Sequence, residues 1–211
     1  MLPFGKVSDA LASLIGVASG REDRFQARLK QLQRMGFPPG VNVGRYAKAR
    51  YDGSQLLQLA VALELLQVGL SPERATKTVL KWWDGIRRAV VAARDHPATL
   101  VATAFMPKDF GGLTSATTSE DDRIAWTGDG LITFRFSGKD DPDIASDLTH
   151  LLTAPRAVII NVSRIVAELD DALVKQGVGS GTIWSEVDGW RNEIDWSGRR
   201  IGSNHDSDPE A

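Results

Sequence analysis

The sequence predicts a mainly helical chain with an α+β second half. Three observations carry this reading. Apolar residues recur at spacings of three and four through most of residues 8–94, the period of helices with one buried face. Runs rich in β-branched and aromatic residues (99–105, 131–136, 158–162) occur only later in the chain. Charge divides at the same place. Residues 1–94 carry 15 Lys+Arg against 7 Asp+Glu, and residues 95–211 carry 10 against 20, so the net charge of −2 conceals halves of +8 and −10. Such asymmetry points to a basic half that meets an anionic partner.

The first helix is expected over residues 8–16, from the spacing of Ala10, Leu11, Leu14 and Ile15. Ser8 is its expected cap and Gly16 its stop. Val17-Ala18-Ser19-Gly20 is a turn. A second helix runs from about Arg21 to Met35 with Phe25, Leu29 and Leu32 as its apolar stripe, ended by Gly36 and Pro38-Pro39. Val41 and Val43, then Ala49-Arg50-Tyr51, predict two short strands around a basic tip at Gly44–Lys48. Asp52-Gly53-Ser54 starts a Leu-rich third helix that ends at Gly69. Ser71-Pro72-Glu73 opens a fourth, expected to continue to about Arg94.

In the acidic half, Thr99–Phe105 is a predicted strand and residues 107–123 a loop. Ile124–Trp126 and Leu131–Phe136 flank a hairpin turn. Asp141–Leu152 is expected to be helical, Val158–Val162 a strand and Ser163–Lys175 an amphipathic helix. Residues 176–211 read as a loose acidic tail whose Trp184, Trp190 and Trp196 patch the domain surface, with a partner-docking segment as the alternative. The expected organisation is a winged helix-turn-helix over 1–80, a connecting helix over 81–96, a small α+β domain over 97–175 and a partly disordered tail over 176–211.

Composition excludes several functions. With no cysteine there is no disulfide, no thiolate metal site and no catalytic thiol. The three histidines are scattered. No nucleophile-elbow, Walker, dinucleotide-binding or zinc-protease pattern occurs, so no catalytic residue, metal or cofactor is expected. Asp140-Asp141, Asp170-Asp171 and Glu120-Asp121-Asp122 read as solvated acids. No apolar run has the length of a membrane span, and the start lacks the features of a secretory signal. The expected location is the cytoplasm.

The basic segment carries the chemistry. A short helix, a turn and a basic second helix form a helix-turn-helix, whose second helix must bury one face and offer donors to base edges from the other. Arg21, Arg24, Arg28 and Gln31 share one flank, and Gln26, Lys30, Gln33 and Arg34 add donors round the rest. Arg can bond both acceptors of a guanine edge, and Gln can pair with adenine. Arg45, Lys48 and Arg50 are candidate phosphate contacts on the hairpin, with Tyr46 placed to lie along a sugar. The alternative is a winged-helix adaptor that binds proteins instead of DNA, with the acidic half folding back on the basic one.

Three motifs in order and spacing carry a family likeness. Arg34-Met35-Gly36-Phe37-Pro38 is followed by Ala49-Arg50-Tyr51-Asp52-Gly53-Ser54-Gln55-Leu56, then by Leu63-Glu64-Leu65-Leu66-Gln67-Val68-Gly69-Leu70-Ser71-Pro72-Glu73-Arg74-Ala75. Residues 5–80 resemble the winged helix of MerR-type transcriptional regulators. The turn Gly16–Gly20 is longer than in that family, and Phe25-Gln26-Ala27-Arg28 stands where its recognition helix has an aromatic pair. The resemblance implies double-stranded DNA as partner, a homodimer joined through a long helix, and a second half that reads a small-molecule or protein effector. The candidate dimer helix carries Leu80, Trp82, Trp83, Ile86, Val90 and Val91; it is not a clean heptad, and a core role for Trp82 or Trp83 is the equal alternative.

Overall fold

Gly16 takes a left-handed conformation (φ 68°), and its backbone N–H closes the first helix, α1 (Phe4–Ile15), where the spacing predicts the stop. The start differs. The helix begins four residues early, behind an extended Pro3, and Ser8 lies buried within it, so it is no cap. Proline is tolerated there because the first helical turn leaves its amides unbonded anyway. Val7 then joins Ala10 and Leu11 on the buried stripe.

A computed structural model describes residues 1–41, 48–106, 130–136, 157–179 and 181–193. Residues 44–47 of the predicted hairpin tip, the loop at 107–123, the strand at 124–126, the helix at 141–152 and the end of the tail lie outside the described residues.

Helix α2 (Glu22–Arg34) buries Phe25, Leu29 and Leu32, as the spacing requires. The strand β2 is Arg50–Tyr51. It pairs antiparallel with β1 (Leu2–Pro3), Leu2 opposite Tyr51 and Pro3 opposite Arg50. Val41, expected to begin the facing strand, is buried outside any strand. Helix α3 (Gly53–Gln67) starts at a full capping box: the Asp52 carboxylate accepts from the Gln55 amide, and the Gln55 side chain accepts from the Asp52 amide. Most of α3 is buried, which makes it the central helix.

The predicted fourth helix is two. Helix α4 (Pro72–Lys81), capped by Ser71, stops at Trp82, and α5 (Trp83–Asp95) starts immediately after. The break re-aims the chain. Ala75 and Val79 of α4 are buried where it packs on α3, whereas α5 turns to the later elements. Those are an antiparallel sheet of β3 (Leu100–Met106), β4 (Gly130–Phe136) and β5 (Val158–Asn161) in the order β4-β3-β5, then α6 (Val162–Lys175) and α7 (Gly181–Glu193). Leu100 faces Phe136 and Phe105 faces both Leu131 and Val158 across the ladder. The fold is mainly helical, with this small sheet in its later part.

Two expectations are corrected here. Residues 181–193 are not a loose tail: Ile183, Val187 and Trp190 are buried. Nor is residue 95 a packing boundary. One hydrophobic core runs from Leu2 to Trp190, with α6 against α1 and α5, and α7 against α3 and α5. Ile86, Val90 and Val91, expected in a dimer seam, belong to this core.

Polar contacts fix α7 in place. The Gly53 amide donates to Glu186 Oε2 at 2.6 Å. Arg87 meets Glu193 at 2.5 Å, Arg94 meets Asp188 at 3.4 Å, and Arg191 pairs with Asp95. Trp190 stands edge-on to Trp83 at 5.7 Å and under the Arg87 guanidinium at 5.1 Å. Trp184 donates its indole N–H to Asp170 at 2.9 Å and lies under Arg94 at 4.8 Å.

Candidate nucleic-acid interface

Burying Phe25, Leu29 and Leu32 leaves the rest of α2 facing outward. Arg21, Arg24, Arg28, Gln31 and Arg34 are all exposed, and Gln26 is half-buried. None of these four arginines makes an ion pair with a described residue. Lys30, on the same helix, reaches over the Phe4 ring of α1 at 6.0 Å. Glu22 and Asp23 occupy the first turn, where carboxylates favour the positive end of the helix dipole. The face is therefore cationic along its length with acids only at its start.

The structure brings a second basic element beside it. Tyr51, 1% exposed, carries β2 into the core, and Gln33 of α2 donates its side-chain amide to the Tyr51 hydroxyl. Burial raises the Tyr51 pKa above the usual tyrosine value, and the Gln33 hydrogen bond offsets this only in part. The phenol is therefore held neutral, as a fixed pin between helix and strand. Lys48 and Arg50, just ahead of this pin in the chain, are exposed. Arg45 and Tyr46 lie outside the described residues.

Both ends of the segment that joins α2 to β2 are tied down. Gln55 donates to the Pro39 carbonyl at 2.8 Å while its oxygen completes the α3 cap. Gly40 follows with φ +82°, and a Cβ there would meet Gln55 Nε2 at 3.4 Å, a conformation and a clearance that both favour glycine. At the other end, β1 holds Arg50 and Tyr51. Leu2 is not among the residues that sequence reasoning singles out; that reasoning makes Gln33 an outward donor for base edges, and Gln55 only part of the family motif. The Asp52-x-x-Gln55 spacing was the available signal for the Gln55 cap.

Among the described residues, the acids of the later half that form ion pairs with the earlier half meet α5 and not α2. Glu193 and Asp188 engage Arg87 and Arg94 of α5. Among the described residues, the cationic face of α2 is left uncovered. No group of three or more His, Asp or Glu side chains suited to a metal occurs among the described residues, and no described helix is long and apolar enough to cross a membrane.

No protein-family model matches the chain, and no curated protein matches it. The likeness to MerR-type regulators rests on its own motifs.

Proposed function

We propose that this chain is a sequence-specific, double-stranded-DNA-binding transcriptional regulator with a MerR-like winged helix-turn-helix. It acts in the cytoplasm as a homodimer, and its later elements receive an effector. One observation carries the reading: α2 spends its apolar side chains on the core and turns Arg21, Arg24, Arg28 and Arg34 outward with no ion pair to a described residue. In this reading α1 and α2 are the helix-turn-helix, α2 enters the major groove, and Lys48 and Arg50 meet the phosphates. The dimer seam lies outside the α5 stripe, which the core consumes.

The test is DNA binding as a function of salt. With about six phosphate contacts, log affinity falls against log salt with a slope near −5. A slope near zero removes the proposal. Arg28→Glu abolishes specific binding; wild-type affinity in that variant removes the assignment of α2 as the reading helix.

A further inference from the structure

The outward side of α2 is divided by what its neighbours already hold. On the flank toward β2 and α1, Gln33 donates to Tyr51 and Lys30 lies over the Phe4 ring. Arg28, with Arg21 just ahead of the helix, stands on the other flank. Between the flanks, Arg24, Ala27, Gln31 and Arg34 recur at spacings of three, four and three, and all are exposed. That is the helical repeat of the buried Phe25, Leu29 and Leu32, turned to the far side of the helix.

This outward stripe is small and apolar at one point. Ala27 places an exposed methyl near its middle, with arginines at both ends. A helix with its side chains is about 10–12 Å across, and the major groove is about 12 Å wide. Long side chains at the point of closest approach therefore hold a helix off the groove floor, and an alanine there lets its backbone settle deeper. The apolar group on offer at that depth is the thymine C5-methyl, which an alanine methyl contacts. Glu22 and Asp23 in the first turn are exposed. They repel phosphates, which disfavours a helix laid along the DNA backbone against one laid in the groove. From Arg24 to Arg34 the helix rises about 15 Å, the length of roughly four to five base pairs.

We infer that Ala27 is a specificity-determining residue: it reads the methyl of a single thymine, set between the bases that Arg24 and Arg34 contact. Ala27 has this role only if α2 meets DNA as proposed above. The target of each α2 is then a short duplex segment with thymine near its centre. Guanines lie opposite Arg24 and Arg34, an adenine opposite Gln31, and phosphates opposite Arg21 and Arg28.

Sites selected by the full chain from a random duplex library supply the target, and thymine is then replaced by uracil one position at a time. Uracil keeps the base pair and lacks only the C5-methyl. At one thymine of the contacted segment, uracil weakens binding about four-fold, the loss of one buried methyl. Ala27→Gly binds thymine and uracil at that position equally, whatever its overall affinity. Ala27→Gln keeps a good helix former and adds bulk, so affinity for the selected site falls about ten-fold while affinity for random duplex is unchanged. Three results overturn the proposal: no thymine sensitive to uracil, a sensitivity that survives Ala27→Gly, or equal losses on selected and random duplex in Ala27→Gln. With the salt slope still near −5, each of these leaves the regulator reading standing. Absence of salt-dependent binding to any duplex removes both.

Discussion

Tyr51 shows how one side chain couples helix α2 to the strand beside it. Its ring is buried and its hydroxyl accepts from Gln33. Tyr51→Phe removes that acceptor and costs about 1 kcal/mol at neutral pH, measurable by urea unfolding. The pH dependence has a definite sign. Because the folded pKa lies above the ordinary value of 10.0, the folded chain keeps a proton that the unfolded chain releases. The stabilisation is complete below pH 10 and declines as the pH rises past it. The stabilities of wild type and Tyr51→Phe therefore converge in alkaline solution. Gly53 gives a second test at this scale. A Cβ there would stand 2.8 Å from Glu186 Oε2 and 3.3 Å from Ile183 Cα. Alanine is the better helix former by about 1 kcal/mol, yet Gly53→Ala destabilises by about 1–3 kcal/mol in denaturant titration, because α7 leaves no room.

At the scale of elements, α7 is held by packing as much as by charge. Trp190 is 5% exposed and meets Trp83 and Arg87. Trp190→Ala costs about 3–5 kcal/mol in chemical denaturation; a change under about 0.5 kcal/mol is what a loose surface segment would give. The sequence carried a signal for this helix in Ile183, Val187 and Trp190, spaced by four and three. The six-residue recurrence of tryptophan hid it. Helices α2 and α6 were legible from their local apolar stripes, and α3 from its Asp52 start and its leucine run. The α4–α5 break was not, since neither glycine nor proline marks Trp82 and its cause is the packing of α4 and α5 on different neighbours. The pairing of β2 with β1 was equally hidden: a two-residue strand has no periodicity, and its partner lies some fifty residues away. Of the candidate interface, the exposed arginines of α2 followed directly from its stripe, while the Gln33–Tyr51 and Gln55–Pro39 ties needed the tertiary fold.

For the whole molecule, the shared core matters more than the divided charge. The ion pairs of α7 are partly exposed, and such pairs contribute little each and weaken in salt. The apolar cluster from Leu2 to Trp190 crosses the charge boundary without interruption. Equilibrium unfolding therefore follows a single transition, with tryptophan fluorescence and far-ultraviolet circular dichroism coincident. Two separated transitions would show that the basic and acidic halves fold independently.

The docking of α6 on α1, and of α7 on the first turn of α3, has a consequence for synthesis. The chain leaves the ribosome from its N-terminus, so α1, α2 and α3 emerge long before the helices that cover them. At ~5–20 residues per second, the roughly hundred residues from the end of α5 to the end of α7 take about 5–20 s to make. Through that interval the nascent basic half holds uncovered apolar surface, and it reaches its final form only when translation has passed α7.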